Sequence, residues 1–338
     1  MNKRFGMTVG VLCLGVFAGT VRTEAKNKKL AQTGFQFLSV VSDARGAAMA
    51  EALTSLEAGS ASLFFNPAGM ANQGVFVDVS ASQNRWIADI THNAVALTLC
   101  PAKGEWGVLG LSFQNVDYGD FYGTVVDKSA PDGYRDTEKF QLSAWAAGAG
   151  YAKRLTDRFS VGGQVRWVHQ DLGESVVPRV SAALDTAAVT VKNSLTPLAF
   201  DFGTQFKTGF KSLVFGMSVR NFSTEIEYVE EGFQLPLVFN LGISMDVLDL
   251  AEGLPLDQSL VVSVDASHHR DHPEQLKVGA EYGLLKTLLI RGGYVSNNDE
   301  DGFTFGLGVR RYGVSFDYAM TPFGVFDKVQ RMTARFSL

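Results

Sequence analysis

The chain has 338 residues, 46% of them hydrophobic, with Gly 35 and Phe 25 against Pro 9 and a formal net charge of -5. This composition excludes a disordered or collagen-like chain, and Lys+Arg 30 against Asp+Glu 35, dispersed along the sequence, leave no basic stripe for a nucleic-acid backbone. Of the two cysteines, Cys13 lies in an apolar N-terminal stretch and Cys100 stands alone beyond it, so removal of that stretch leaves no intrachain disulfide.

Residues 1–25 read as a secretory signal: Lys3 and Arg4, an apolar stretch from Met7 to Gly19, and small residues around Thr23-Glu24-Ala25. Cys13 sits inside the apolar stretch, not at a cleavage point, which argues against a lipid anchor. Beyond this segment no run of roughly 18 apolar residues occurs, so the remainder has no membrane-helix pattern.

Residues 26–73 carry no strand pattern. Asp43 to Leu53 is rich in small residues, with Ala47, Ala50 and Leu53 at helical spacing, and predicts a short helix in close contact with another surface. "SLFFNPAGM", Ser62 to Met70, then sets Phe64 and Phe65 against Asn66-Pro67-Ala68-Gly69. Pro67 biases Asn66 toward extended geometry and Gly69 is free to take a positive φ, which predicts a tight reversal delivering the chain into its first strand.

From residue 74 onward the sequence alternates. Phe159, Val161, Val165 and Trp167 share one face, and Ser160, Gly162, Gln164 and Arg166 the other; Phe303, Phe305, Leu307 and Val309 likewise oppose Thr304, Gly306, Gly308 and Arg310. Such segments fall near 74–84, 90–101, 105–116, 139–152, 158–170, 197–208, 211–222, 235–247, 258–268, 274–284, 286–296, 301–311, 312–320 and 328–338, about fourteen in all. Ala183 to Val191 reads as a further short strand within a loop. The connections alternate between long (117–138, 171–196, 223–234) and short (102–104, 156–157, 208–210, 285), with 248–257 the exception, as in barrels with long external loops and short periplasmic turns.

A soluble sandwich also alternates, but it buries the apolar face. Taken with the signal, the strand number and the loop asymmetry, the pattern predicts an all-β fold: an antiparallel transmembrane β-barrel of about fourteen strands in a bacterial outer membrane, closed because open edges are not tolerated in lipid. A barrel that wide is not filled by its own side chains. Residues 26–73 are therefore expected as a hatch or plug with a short helix inside a barrel of residues 74–338. Phe64 and Phe65 either anchor the plug to the wall or line a path for an apolar ligand. Arg166 and Arg220 face the lumen and are candidates to meet a ligand carboxylate.

"GFQFLSVVSDARGAAMAEALTSLEAGSASLFFNPAGMAN", Gly34 to Asn72, resembles the N-terminal region of the PorV/PorQ family within the FadL-like superfamily of outer-membrane transport proteins, and "RFSVGGQVRW" and "FGMSVRNF" resemble two of its strands. The resemblance implies a fourteen-stranded barrel with an N-terminal hatch and, for FadL-type members, diffusion of long-chain fatty acids and similar hydrophobic compounds; movement of the hatch around Asn66 to Gly69 is then expected to open a route for passive uptake. PorV-like relatives imply a second role, binding exported proteins for type IX secretion. This chain departs from the family in having Met49-Ala50-Glu51 where relatives follow the methionine with glycines, and Glu57 followed by Ala58-Gly59 in place of an acidic pair.

"SHHRDHPE", with His268, His269, Asp271 and His272, reads as a solvated polar cluster on an external loop, so no metal or other cofactor is expected. HExxH, P-loop, GxGxxG and GxSxG motifs are absent, and the sequence reads as that of a non-enzyme.

Overall fold

The computed structural model describes residues 33–127, 129–180, 186–228, 231–251, 257–298, 302–326 and 328–338. The expected signal at 1–25 lies outside the described residues. The strands are β1 (Val77–Arg85), β2 (Thr91–Leu99), β3 (Val108–Val126), β4 (Tyr134–Arg154), β5 (Phe159–Val180), β6 (Thr186–Leu195), β7 (Leu198–Lys207), β8 (Val214–Phe222), β9 (Ile226–Tyr228), β10 (Glu231–Phe233), β11 (Val238–Asp246), β12 (Gln258–His269), β13 (Gln275–Leu284), β14 (Leu288–Val295), β15 (Phe303–Arg311), β16 (Val314–Pro322) and β17 (Lys328–Ser337).

Fourteen of them close a ring of antiparallel neighbours; β6, β9 and β10 stand outside it. The seam joins β1 to β17, from Asp78 opposite Ser337 to Arg85 opposite Gln330. β6 extends the sheet by pairing with the outer half of β5, while the inner half of β5 pairs with β4 and β7.

Exposure separates a membrane barrel from a sandwich. On β15, Phe303, Phe305, Leu307 and Val309 are 58%, 51%, 55% and 51% exposed, whereas the intervening Thr304, Gly306 and Gly308 are buried. The apolar face looks outward, all around the ring. Phe76, Trp106, Phe210 and Tyr312 add exposed aromatics at the short-turn end, in keeping with an interfacial girdle. A closed barrel with an apolar exterior is suited to span a membrane, because closure leaves no open sheet edge in the lipid.

Two expected loops prove to be strand. The stretches 117–138 and 171–196 continue β3, β4 and β5 as hairpins beyond the membrane. There Asp120 pairs with Lys139 at 2.9 Å and accepts from Gln141 at 3.0 Å, so both faces are wetted and the one-sided apolar alternation that marks a membrane strand is lacking. By loop asymmetry this long-hairpin end is extracellular.

Residues Thr33 to Gln73 thread the bore. Thr33 bridges Gln234 at the extracellular end, and the segment leaves at the periplasmic end into β1. Its one α-helix, α1 (Ala44–Ala48), is shorter than the expected Asp43–Leu53. Asp43 caps it, accepting from Gly46 N at 2.7 Å. It stops because Ala50 (φ 52°) and Glu51 (φ 65°) take left-handed conformations, which a glycine would adopt without strain.

Candidate functional site

The segment meets the wall in three places. Near the extracellular end Phe35, Phe37 and Leu38 pack on Val116, Ala144, Ala146, Val168, Ala199 and Leu235. Near the periplasmic end Leu63, Met70 and Ala71 pack on Ala96, Cys100, Val108 and Ala152. Between them, Ala44, Ala47, Ala48, Met49, Leu53 and Phe65 form a cluster of the segment's own residues, joined by Ala319 of β16.

Glycines on the inward face allow this close approach. A Cβ at Gly306 would stand 2.4 Å from Ala48 Cβ, one at Gly293 2.6 Å from Ala50 N, and one at Gly279 2.6 Å from Met49 O. β13, β14 and β15 thus form a smooth seat for α1 and the turn after it.

Polar bonds fasten α1 to that seat. Arg45 Nε and Nη2 donate to the Glu281 carboxylate at 2.9 and 3.0 Å, and Arg45 Nη1 donates to Glu57 O at 2.9 Å. Arg291 bridges Glu281 at 2.5 Å and Asp317 at 2.6 Å. Lys277 binds Glu51 at 2.7 Å, Thr304 Oγ1 donates to Ala48 O at 2.9 Å, and Ala44 N donates to Thr333 Oγ1 at 2.8 Å.

Two cavities lie along this same wall, one on each side of α1. The extracellular one, of about 380 Å³, is bounded by Val40, Val41, Trp86, Val295 and Phe323, with Glu51, Lys277, His269 and Arg331 supplying polar groups. Trp86 is its aromatic corner: the ring packs edge-on to Phe323 at 4.8 Å and carries Arg331 over its face at 5.6 Å. The periplasmic one, of about 260 Å³, is bounded by Arg45, Glu281, Leu289, Arg291, Asp317 and Arg335. Ala47 borders the first and Arg45 the second, so α1 stands between the two cavities.

Of the residues singled out in the sequence, Phe64, Arg166 and Arg220 come together around a smaller cavity of about 20 Å³. Both arginines are engaged there: Arg166 pairs with Asp201 at 2.7 Å, and Arg220 donates to the backbone oxygen of Phe64. Phe65 stands apart, its ring so close over α1 that a Cβ at Gly46 would lie 2.2 Å from it. Asn66 is buried and tied down, donating to Thr54 O at 2.7 Å and Thr204 O at 3.0 Å and accepting from Ala68 N at 3.0 Å. Pro67, Ala68 and Gly69 begin a buried 3₁₀ turn, Pro67–Asn72. Gly69, expected at positive φ, is not among the left-handed residues. Its missing side chain serves close packing instead, since a Cβ there would stand 2.8 Å from Ser62 Oγ.

The SHHRDHPE stretch also departs from expectation. Asp271 is 1% exposed, accepting from Thr33 Oγ1 at 3.0 Å and Gln36 Nε2 at 2.9 Å and meeting His272 Nδ1 at 2.8 Å. Burial alone would raise its carboxyl; the bonds from His272, Gln36 and Thr33 outweigh this and hold it well below the usual carboxylate range. The cluster fastens the start of the N-terminal segment to the β12–β13 turn.

No protein-family model matches the chain, and no curated protein is similar to it in sequence. Its fold, however, matches solved structures. The monoaromatic hydrocarbon channel CymD aligns with TM-score 0.58 at 10% identity, over 88% of this chain and 97% of CymD. The chain has the fold of these channels. The toluene transporter TbuX of Ralstonia pickettii aligns with TM-score 0.54 at 13% identity, over 86% and 96%, and the toluene transporter TodX of Pseudomonas putida with 0.51 at 12%, over 86% and 95%.

Arg45, Trp86 and Phe323 were not singled out from the sequence. The signal that could have found their surroundings was the row of inward glycines, which alternation records only as small residues on the polar face.

Proposed function

We propose that the chain is a FadL-like channel of the bacterial outer membrane for passive uptake of hydrophobic small molecules, with monoaromatic hydrocarbons and long-chain fatty acids as the substrate classes. The observation that carries this reading is the pair of cavities on one wall of a closed barrel, separated by a short helix held through ion pairs. An apolar molecule entering the cleft beside Trp86, Phe323, Val40 and Val41 leaves water; burying 100 Å² of its surface contributes roughly 2.5 kcal/mol. A cleft of about 380 Å³ falls at the lower end of the range for small-molecule sites. A shift of α1 off its glycine seat would join the two cavities, driven only by thermal motion and the solute gradient. The toluene and hydrocarbon named for the structures of like fold are of the class the cleft suits.

The test is uptake of labelled toluene and oleate by cells whose own hydrophobe channels are deleted and whose outer membrane carries this chain or its Trp86→Ala/Phe323→Ala variant. Faster uptake with the unaltered chain, reduced in the variant, supports the reading; rates equal to those of cells without the chain refute it.

A second reading, the PorV-type role in receiving exported proteins, has one observation in its favour. The β3–β4 hairpin stands clear of the membrane with Phe121, Tyr122 and Phe140 exposed. Loss of surface release of secreted proteins on shortening that hairpin, with solute uptake intact, would favour it over the channel.

A further inference from the structure

We infer that His269, Asp271 and His272 form a binding site for a first-row divalent transition metal, with Zn²⁺ the reference ion. The three residues offer one ligand atom each, and these atoms lie within 4.8 Å of one another. They sit where β12 turns toward β13, a turn braced by Arg270 N donating to Leu237 O at 3.0 Å. The two imidazoles meet edge to face at 5.9 Å between centroids.

A hydrogen-bonded cluster would by itself account for Asp271 and His272. It does not account for His269. Its Nε2 is buried and has no hydrogen-bond partner among the described residues, an arrangement that costs the desolvation of a polar atom with nothing returned. A metal ion supplies what that nitrogen lacks. The donor set also specifies the ion: two imidazoles and one carboxylate suit Zn²⁺ and its neighbours in the series, whereas Ca²⁺ and Mg²⁺ prefer all-oxygen shells. Asp271 accepts three bonds at present, and a carboxylate has about four acceptor positions, so it can ligate or orient His272 without releasing Thr33 and Gln36. The nearby Lys277 ammonium does not oppose a cation outright, since Glu51 binds it at 2.7 Å.

The placement gives the site a consequence. Asp271 is the acceptor for Thr33 and Gln36, so an ion fixing this carboxylate also fixes the outer end of the N-terminal segment. His269 and His272 border the extracellular cleft, so the open coordination positions face the solute's entrance.

The experiment uses tag-free, detergent-purified full-length protein stripped with EDTA, titrated with Zn²⁺ against a chromogenic chelator and with Co²⁺ for its visible spectrum. One equivalent of Zn²⁺ is expected, with affinity lowered about tenfold or more in His269→Ala and in His272→Ala. His268→Ala is expected to bind as the unaltered chain does, because His268 is exposed and pairs with Glu274 at 3.2 Å. Heat-modifiable migration on gels confirms that each variant retains the barrel. Absence of Zn²⁺ binding at micromolar concentration, unchanged binding in the His269→Ala/His272→Ala double variant, or equal affinity for Ca²⁺ would each overturn the assignment.

Discussion

Replacing Glu281 by Gln should loosen α1 without unfolding the barrel. Glu281 is 8% exposed and is the shared partner of Arg45 from the segment and Arg291 from the wall. Arg291 retains Asp317 at 2.6 Å, but Arg45 loses its carboxylate partner and keeps neutral acceptors alone, the backbone oxygen of Glu57 and the single amide oxygen of the glutamine. Removing one partner of a buried pair costs about 3–5 kcal/mol, because a charge is left uncompensated away from water. Arg45 lies at the edge of a cavity and can partly hydrate, so the lower figure applies. At 1.4 kcal/mol per factor of ten, a loss of about 3 kcal/mol raises the population with α1 displaced roughly a hundredfold. The assay is conductance of single barrels in planar bilayers, where the unaltered chain should be closed with rare openings and Glu281→Gln open far more often. Lys207→Ala serves as the control, since Lys207 and Glu57 pair at 2.9 Å while 40% and 47% exposed, and such a pair contributes under about 1 kcal/mol. A Glu281→Gln barrel that is heat-modifiable and no more open than the control would refute the assignment of α1 as the barrier.

Gly306→Val should displace α1 sterically, because even its Cβ would stand 2.4 Å from Ala48 Cβ; an overpacking cost of about 1–3 kcal/mol should appear as faster hydrogen exchange over Ala44 to Ala48. Ala50→Gly should act oppositely. A left-handed alanine is strained by roughly 1–2 kcal/mol, and the glycine's greater unfolded entropy takes back about half, so exchange over the same residues should slow severalfold. For Asp271, the folded carboxyl lies below its unfolded value, so its stabilising contribution is fully present above about pH 4 and is lost only as pH falls through the folded value. Protease protection of residues 33–36 should therefore be constant from pH 7 to pH 5, and Asp271→Asn should reduce it throughout that range; a loss of protection near pH 6 in the unaltered chain would contradict this.

The wall was legible in the sequence because a period of two, sustained over each membrane strand, has only two faces to assign. Phe303, Phe305, Leu307 and Val309 declare one strand unaided, and their exposure decides which way the barrel faces. The outer halves of β3, β4 and β5 were not legible, since strands wetted on both sides carry no one-sided signal. Within the segment, Asn66-Pro67-Ala68-Gly69 announced a turn but not its partners, because Thr204 on the wall meets Asn66 only in the folded barrel and Thr54 reaches it only through the fold of the segment itself. Glu51 and Lys277, 226 residues apart, or Arg45 and Glu281, 236 apart, are paired by topology that no local pattern encodes.

The way each part of the segment is fastened argues for which part moves. Its two ends are held by apolar contact with the wall, through Phe35, Phe37 and Leu38 at one end and Leu63, Met70 and Ala71 at the other. Withdrawing either would open apolar wall residues such as Val116, Val168 or Val108 to the water of the bore, at about 25 cal/mol per Å². The middle is different. Among the described residues its apolar cluster includes a single wall residue, Ala319, and its hold on β12–β17 is otherwise made by charged and hydrogen-bonding groups and by bare glycine backbone. When α1 lifts, Glu281, Lys277 and Thr304 can exchange protein partners for water, and Ala44, Ala47, Ala48, Met49 and Leu53 can move together away from Phe65, which stays beside the Asn66 turn. The cost of opening is then a set of ion pairs and hydrogen bonds together with the contact of α1 with the Phe65 ring. The motion this favours is a swing of the middle between fixed ends.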